Sequence, residues 1–492
     1  MNWSNWEPEN SSNSIKSRAG IMKVFALIRL ICTIGLITIG LISGHSLAQD
    51  LRRPVSQERD FSIAPFSVDI TIPIGHRCMG VLPTKSKEIV DPLEAHGFVL
   101  SGGDKPIVFL ALDWCEVRNG AYDQWRDALA AAAKTDRVHV LVCSLHQHDA
   151  PVTDADAQRI LDDAGLPKEL FHPDFQAECI ARAVAAIQTS LQDPRPITHL
   201  GTGQARVEKI ASNRRVVREN GAVSFSRGSR SGADPFHSSA PDGEIDPYVK
   251  TLSFWNGDKP VVALNAYATH PMSYYGQGQV SADFVGLARR IRQQQLPDVR
   301  QIYASGCSGD VTAGKYNDGS QQNRIDLTNR LALGMAEAWK ITKRIPLTQI
   351  VFRSTKMQLP YSHHPDLTEE ALTAAIHNES ARTEDRILAA MGLASRRRVE
   401  AGQPIDVPCI DFGKAQLVLL PGEAFVGYQL MAQLIRPDSF VVTVGYGECW
   451  PGYIPTKAAF ADKFEDKWLW VAPGSEARMR EALTTVLKWK SE

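Results

Sequence analysis

The sequence predicts an α/β protein with a mixed, largely buried β-sheet flanked by helices. Three observations carry that prediction: short apolar runs bounded by turns, segments of helical period between them, and an ordinary globular composition. Of 492 residues, 43% are hydrophobic and 22% charged, which is typical of folded soluble chains. Lys and Arg number 54 against 55 Asp and Glu, a net charge of −1. That balance supplies no long-range field for a polyanion and argues against nucleic-acid binding. Eight cysteines in such a length are too sparse for a disulfide scaffold.

The elements follow in order. Pro106–Asp113 (PIVFLALD) and Val138–Leu145 (VHVLVCSL) are continuous apolar runs of buried-strand type, with a helical pattern over Ala121–Lys134 between them. Residues 173–191 open on Pro173 and place Phe175, Cys179, Ala183, Ile187 and Leu191 along one helix face. Lys250–Trp255, Val261–Ala268 and Arg300–Ala304 read as strands, and Phe284–Gln295 and Asn323–Lys340 as helices. The pattern resumes with a strand at Gln416–Leu420, a helix at Ala424–Leu434, a strand at Phe440–Gly445 and a last helix at Ser475–Lys490. This alternation is what a layered α/β domain requires. Residues 207–247 are rich in Gly, Ser and Arg and read as a long irregular excursion. Residues 366–402 read as a solvated helical pair.

The amino-terminal segment stands apart. Residues 1–20 are polar; then Lys16, Arg18, Lys23 and Arg29 precede the charge-free run Leu30–Ser43 and the small-residue site Ser46-Leu47-Ala48. This is the order of a secretory signal peptide. The run is shorter than the ~20 residues that span a bilayer. The expectation is export, periplasmic or secreted, with residues 1–48 as extension and signal; the alternative is an uncleaved membrane anchor. Cleavage leaves seven cysteines, none in a Cys-x-x-Cys spacing, and several within apolar runs, where a free thiol acts as a small hydrophobe.

Four local features carry chemistry. Leu145-His146-Gln147-His148-Asp149-Ala150-Pro151 closes an apolar strand, and alternation along a strand would send both imidazoles to one face. Strand ends are where α/β proteins hold ligands. The two rings can share a metal, or one can bind metal while the other moves protons; the plain alternative is a pair of loop histidines. Metallo-β-lactamase spacing, His-x-His-x-Asp-His, fails because His148 is followed by Asp149-Ala150-Pro151. An amidohydrolase-type barrel remains as an alternative. Ala268-Thr269-His270-Pro271 ends a second strand, Leu420-Pro421-Gly422-Glu423 puts a carboxylate at a strand-to-helix turn, and Gly445–Tyr453 is a turn-rich aromatic loop.

In this order the features resemble the catalytic domain of the neutral/alkaline (non-lysosomal) ceramidase family. That family writes Thr-His-Thr-His-Ser-Gly-Pro where this chain has Leu145–Pro151, and Ala-Ile-His-Pro where it has Ala268–Pro271. Its Ser-x-Asp-x-x-Gly is matched by Ser281–Gly286, its Gly-Asp-Val-Ser-Pro by Gly309–Ala313, and an Asn-Arg pair by Asn213-Arg214. The resemblance covers about residues 60–490. It implies a ceramidase-like fold and one zinc ion held by His146, His270, Glu423 and Tyr453. It also implies His148 as acid/base, Arg214 on the carbonyl or developing oxyanion, and Asn213, Asp283 and Thr312 around the substrate. Residues 60–345 would form the first part of the hydrolase and residues 346–492 would complete the metal site, without the family's immunoglobulin-like carboxy-terminal domain. The implied reaction is hydrolysis of an N-acyl amide, as in a ceramide-like lipid, by a zinc-activated water, with possible membrane-surface contact. Two rivals stand beside it: another metal-dependent hydrolase of esters or amides, and a catalytically inactive surface protein that binds lipid or glycan. Asp149-Ala150 in place of Ser-Gly, and Thr312-Ala313 in place of Ser-Pro, depart from the family pattern.

Overall fold

A computed structural model describes residues 60–488, so the expected signal peptide lies outside the described residues. These residues form one compact unit. The α/β prediction holds, built among the described residues as three larger open mixed sheets and five two-stranded ones rather than one sheet. The first orders its five strands Val140–Ser144, Ile107–Leu112, Glu94–Ser101, Ser62–Asp69 and Arg195–Pro196. The second, also five-stranded, runs Arg300–Ser305, Lys259–Tyr267, Tyr248–Asn256, His199–Arg206 and Lys343–Pro346. The third has four: Val351–Met357, Ile405–Asp411, Ala415–Leu419 and Phe440–Val444. Most pairings are antiparallel, so the closed parallel barrel of the amidohydrolase alternative is not this fold.

Each of the three larger sheets carries one parallel pair at its edge, and each pair is joined by a helix. Ile107–Leu112 leads through the helix Asn119–Ala133 to Val140–Ser144. Lys259–Tyr267 leads through Asp283–Gln295 to Arg300–Ser305, and Ala415–Leu419 through Val426–Ile435 to Phe440–Val444. These strands are buried on both faces, which is why they read as unbroken apolar runs. The carboxyl ends of the three units meet. Ser144 N donates to Tyr446 O (3.0 Å), Gly445 N to Ser305 O (2.9 Å), and Ser305 Oγ to Leu145 O (2.7 Å). The ligand-bearing crevice outside strand ends, usual in α/β folds, is thus shared by three sheets.

Edge-on aromatic contacts tie the sheets together. Phe98 packs on Phe109 (5.4 Å between centroids) and on Phe254 (5.5 Å), and Phe254 on Phe412 (5.7 Å), all buried. The helical pair at 366–402 is less solvated than its charge implies. Its second helix, Thr383–Glu400, buries Arg386, Ile387 and Ala389–Ser395. Residues 207–247 are mostly irregular, with only two-residue strands and short helical turns. The seven cysteines from Cys78 to Cys449 are buried and unpaired. Trp450, Trp468 and Trp470 are buried packing residues. No helix among the described residues is long and apolar enough to cross a membrane.

Candidate metal centre

His146 and His148 are brought together by a route different from strand alternation. The strand ends at Ser144, and His146 takes a left-handed backbone (φ 70°) that turns the chain after it. A non-glycine residue in that region costs on the order of 1–3 kcal/mol and is characteristic of functional sites. The two rings end 5.4 Å apart and nearly perpendicular. His270 follows the strand Lys259–Tyr267 and bridges to Thr312, with its ring 4.7 Å from that of His146 and 6.2 Å from that of His148. Glu423 follows the strand Ala415–Leu419 and pairs in parallel with Tyr453. Its placement depends on two glycines. Gly422 adopts φ 54°, and a Cβ on Gly309 would stand 2.1 Å from the Glu423 carbonyl oxygen.

Glu423 Oε2 lies 2.9 Å from His270 Nε2 and 3.2 Å from His146 Nε2, and all three residues are buried. The far nitrogens are engaged by backbone. His270 Nδ1 is 2.6 Å from Ser308 O, and His146 Nδ1 is 3.1 Å from Cys115 O. A carbonyl only accepts, so both Nδ1 atoms carry hydrogen and, in the neutral rings, both Nε2 lone pairs face the carboxylate. Burial and the nearby Arg214 lower the His270 pKa to about 4, so that ring is neutral at pH 7. Lone pair against carboxylate at hydrogen-bond distance is repulsive unless a proton or a metal cation is shared by the two groups. Burial opposes ionisation of Glu423, but the two facing histidines hold its carboxyl well below the usual range. Burial likewise opposes the charging of His146, and Glu423 outweighs it and raises that pKa.

His148 is different in kind. It is buried, and neither ring nitrogen has a hydrogen-bond partner. Burial, followed by the two neighbouring histidines, holds its pKa far below the ordinary value. Tyr275, half-buried, packs edge-on against it at 4.6 Å. Arg214, also half-buried, places its guanidinium 5.5 Å over the Tyr453 ring, with Nε buried and unpartnered. The Tyr453 ring is 6.3 Å from that of His270, and burial keeps its phenol neutral.

The remaining sequence-named residues, Asn213, Asp283 and Thr312, are buried. Asn213 Nδ2 donates to Asp310 Oδ2 and Glu244 O (both 2.8 Å), and its Oδ1 accepts the Arg215 amide, which anchors the irregular segment beside Arg214. Asp283 takes the Ser273 amide (3.0 Å) and hydroxyl (2.6 Å), fixing the loop after His270. Thr312 pairs with Ser212, and its hydroxyl accepts the Gly314 amide at 3.2 Å. Their polar atoms are used within the protein. Sequence reasoning missed Tyr446, which stacks on His146 at 4.4 Å and shares a hydrogen bond with Ser308, the residue whose carbonyl holds His270. Its only linear signal was a place in the aromatic loop. Among the described residues, His146, His270 and Glu423 form one group able to hold a metal ion; Cys115, His146 and His148 form another.

A mixed α/β domain with a buried His/His/Glu cluster at the meeting of three strand ends is the class that fold and site define. Within that class the chain has a neutral ceramidase-like domain fold. It superposes on the neutral ceramidase from Pseudomonas aeruginosa with a TM-score of 0.63 at 15% identity, over 87% of this chain and 74% of that one. It superposes equally on a ceramidase complexed with C2, at TM-score 0.63 and 15% identity, over 87% and 75% of the two chains. No protein-family model and no curated protein matches the sequence.

Proposed function

We propose that the protein is a zinc-dependent amidase that hydrolyses the N-acyl amide bond of a ceramide-like lipid. The observation that carries this reading is the convergence of His146 Nε2 and His270 Nε2 on one Glu423 oxygen, with both Nδ1 atoms held by backbone carbonyls. Such a donor set, three ligand atoms within 4.8 Å of one another, fits a cation of zinc's size and N/O preference. His146, His270 and Glu423 would hold it, with Tyr453 beside them. Zinc there would supply Lewis acidity toward a carbonyl oxygen and would lower the pKa of a water to about 7.

The chain's own groups supply the rest. The Arg214 guanidinium holds the amide carbonyl oxygen and its developing negative charge. His148, neutral and with both ring nitrogens unengaged, takes a proton from the attacking water and gives it to the leaving nitrogen. An amine leaves only when protonated, and this is general acid–base work for an imidazole. A cavity of about 550 Å³ at Asp466, whose carboxyl interacts with Arg214 and Glu423, is lined by the apolar Leu367, Leu372, Leu388, Leu469 and Trp470 and by the charged Asp366, Asp385, Glu465 and Lys467. That volume lies within the range of ligand sites.

The reading includes export through residues 1–48, which sequencing the amino terminus of the mature chain tests. For the activity, purified protein is incubated with an N-acylsphingosine in mixed micelles, and free fatty acid and free amine are quantified. Equal release of both, abolished by a chelator and restored by zinc, is the expected result. Release that persists after zinc is removed would contradict the reading.

A further inference from the structure

The side of His146 that faces away from Glu423 carries a second buried carboxylate. Glu116, on the short strand Glu116–Arg118, places Oε1 3.9 Å from His146 Nδ1, on the nitrogen that already meets the Cys115 carbonyl at 3.1 Å. Glu116 is fully buried. Its Oε2 accepts Arg118 at 2.9 Å, whereas Oε1 has no hydrogen-bond partner.

A buried, unpartnered carboxylate oxygen is costly, and its surroundings show that packing alone does not account for it. Arg118 is equally buried, lies 4.3 Å over the Trp470 ring and faces a second carboxylate, Asp154, at 3.5 Å. Both oxygens of Asp154 are satisfied, by Asn119 Nδ2 (2.7 Å) and the Ala157 amide (3.0 Å). Of the four oxygens on the two carboxylates facing this guanidinium, the one left without a hydrogen-bond partner is the one beside His146. A divalent cation held by Glu423 would carry more charge than that one carboxylate neutralises.

From this geometry we infer that Glu116 is a positioning residue for metal binding. Its carboxylate lies behind His146 Nδ1, whose hydrogen bond goes to the Cys115 carbonyl, and raises the affinity of Nε2 for a cation. The inference rests on the reading of His146 as a metal ligand. Carboxylates behind ligating histidines act in this way, and their loss costs about 10–100-fold in metal affinity.

The test is the zinc dissociation constant, measured by competition with a chromophoric chelator on the full chain. Glu116→Gln keeps the shape and the bond to Arg118 and is expected to weaken zinc binding by roughly 10–100-fold. Asp154→Asn removes the other carboxylate from the same arginine without facing His146 and is expected to stay within about threefold of the parent. If Glu116→Gln does not fold, Glu116→Gln/Arg118→Met removes the charge without orphaning the guanidinium, an exchange that buried ion pairs often tolerate. It too is expected to weaken zinc by roughly tenfold or more. A Glu116 variant that binds zinc like the parent, or two single variants that weaken it alike, would overturn the inference while leaving the metal site intact. A parent chain that binds no zinc would overturn the metal reading itself and the inference with it.

Discussion

Replacing His148 by leucine separates catalysis from metal binding. The ring lies 5.4 Å from that of His146 and 6.2 Å from that of His270, and neither of its nitrogens is engaged by the Glu423 carboxylate that gathers the other two. His148→Leu therefore leaves the zinc stoichiometry unchanged. General acid–base catalysis contributes about 10²–10⁴-fold, equivalent to about 3–5 kcal/mol of transition-state stabilisation, so kcat for amide hydrolysis should fall by that factor with little change in KM. Stability should move the other way. Two buried ring nitrogens without partners cost on the order of 1–3 kcal/mol each, and an apolar side chain of similar size removes that cost, so the variant should melt at or above the parent's Tm. The assay is kcat and KM with a micellar N-acyl lipid, beside metal analysis and a melting curve. A variant that keeps kcat within about tenfold of the parent, or that loses its zinc, would refute the assignment of His148.

Three further outcomes follow from the same structure. Burial raises the Glu448 carboxyl from its ordinary value of 4.5 to about 7. Between those values the folded state holds more protons than the unfolded one, so stability falls as pH rises through the window, by about 3 kcal/mol; Glu448→Gln should flatten that part of a stability–pH curve from urea unfolding. Phe254, fully buried between Phe98 and Phe412, joins the sheets, and Phe254→Ala should cost about 3–5 kcal/mol in the same unfolding assay. Gly309→Ala sets a methyl 2.1 Å from the Glu423 carbonyl oxygen and should lower zinc affinity, read by chelator competition, whereas Gly228→Ala, at a glycine with open space around its Cβ, should leave it unchanged.

What the sequence disclosed, and what it hid, divides along physical lines. The parallel strands were legible because burial on both faces makes them continuous apolar runs, and the helices between them because one face repeats every three to four residues. The antiparallel strands Glu94–Ser101 and Val351–Met357 were not read. Glu94 and His96 interrupt the first, and the second is only half-buried along most of its length. His146, His270 and Glu423 were legible because each follows a recognisable strand. Tyr446 and Glu116 were not, because a stacked ring and a charge behind a histidine exist only once distant segments meet. The pairing of His146 with His148 was anticipated for the wrong reason: a left-handed turn at His146, not strand alternation, brings the rings together. The three strand–helix–strand units share connectivity without visible sequence similarity, since a buried strand constrains apolarity and length rather than identity.

The most direct test of the proposed centre is the metal content of the purified chain from residue 49 onward, beside its His270→Ala variant. About one zinc per chain in the parent and none in a folded variant is the expected result. A well-folded parent without zinc, or a variant that retains it, would contradict a metal site built on His146, His270 and Glu423.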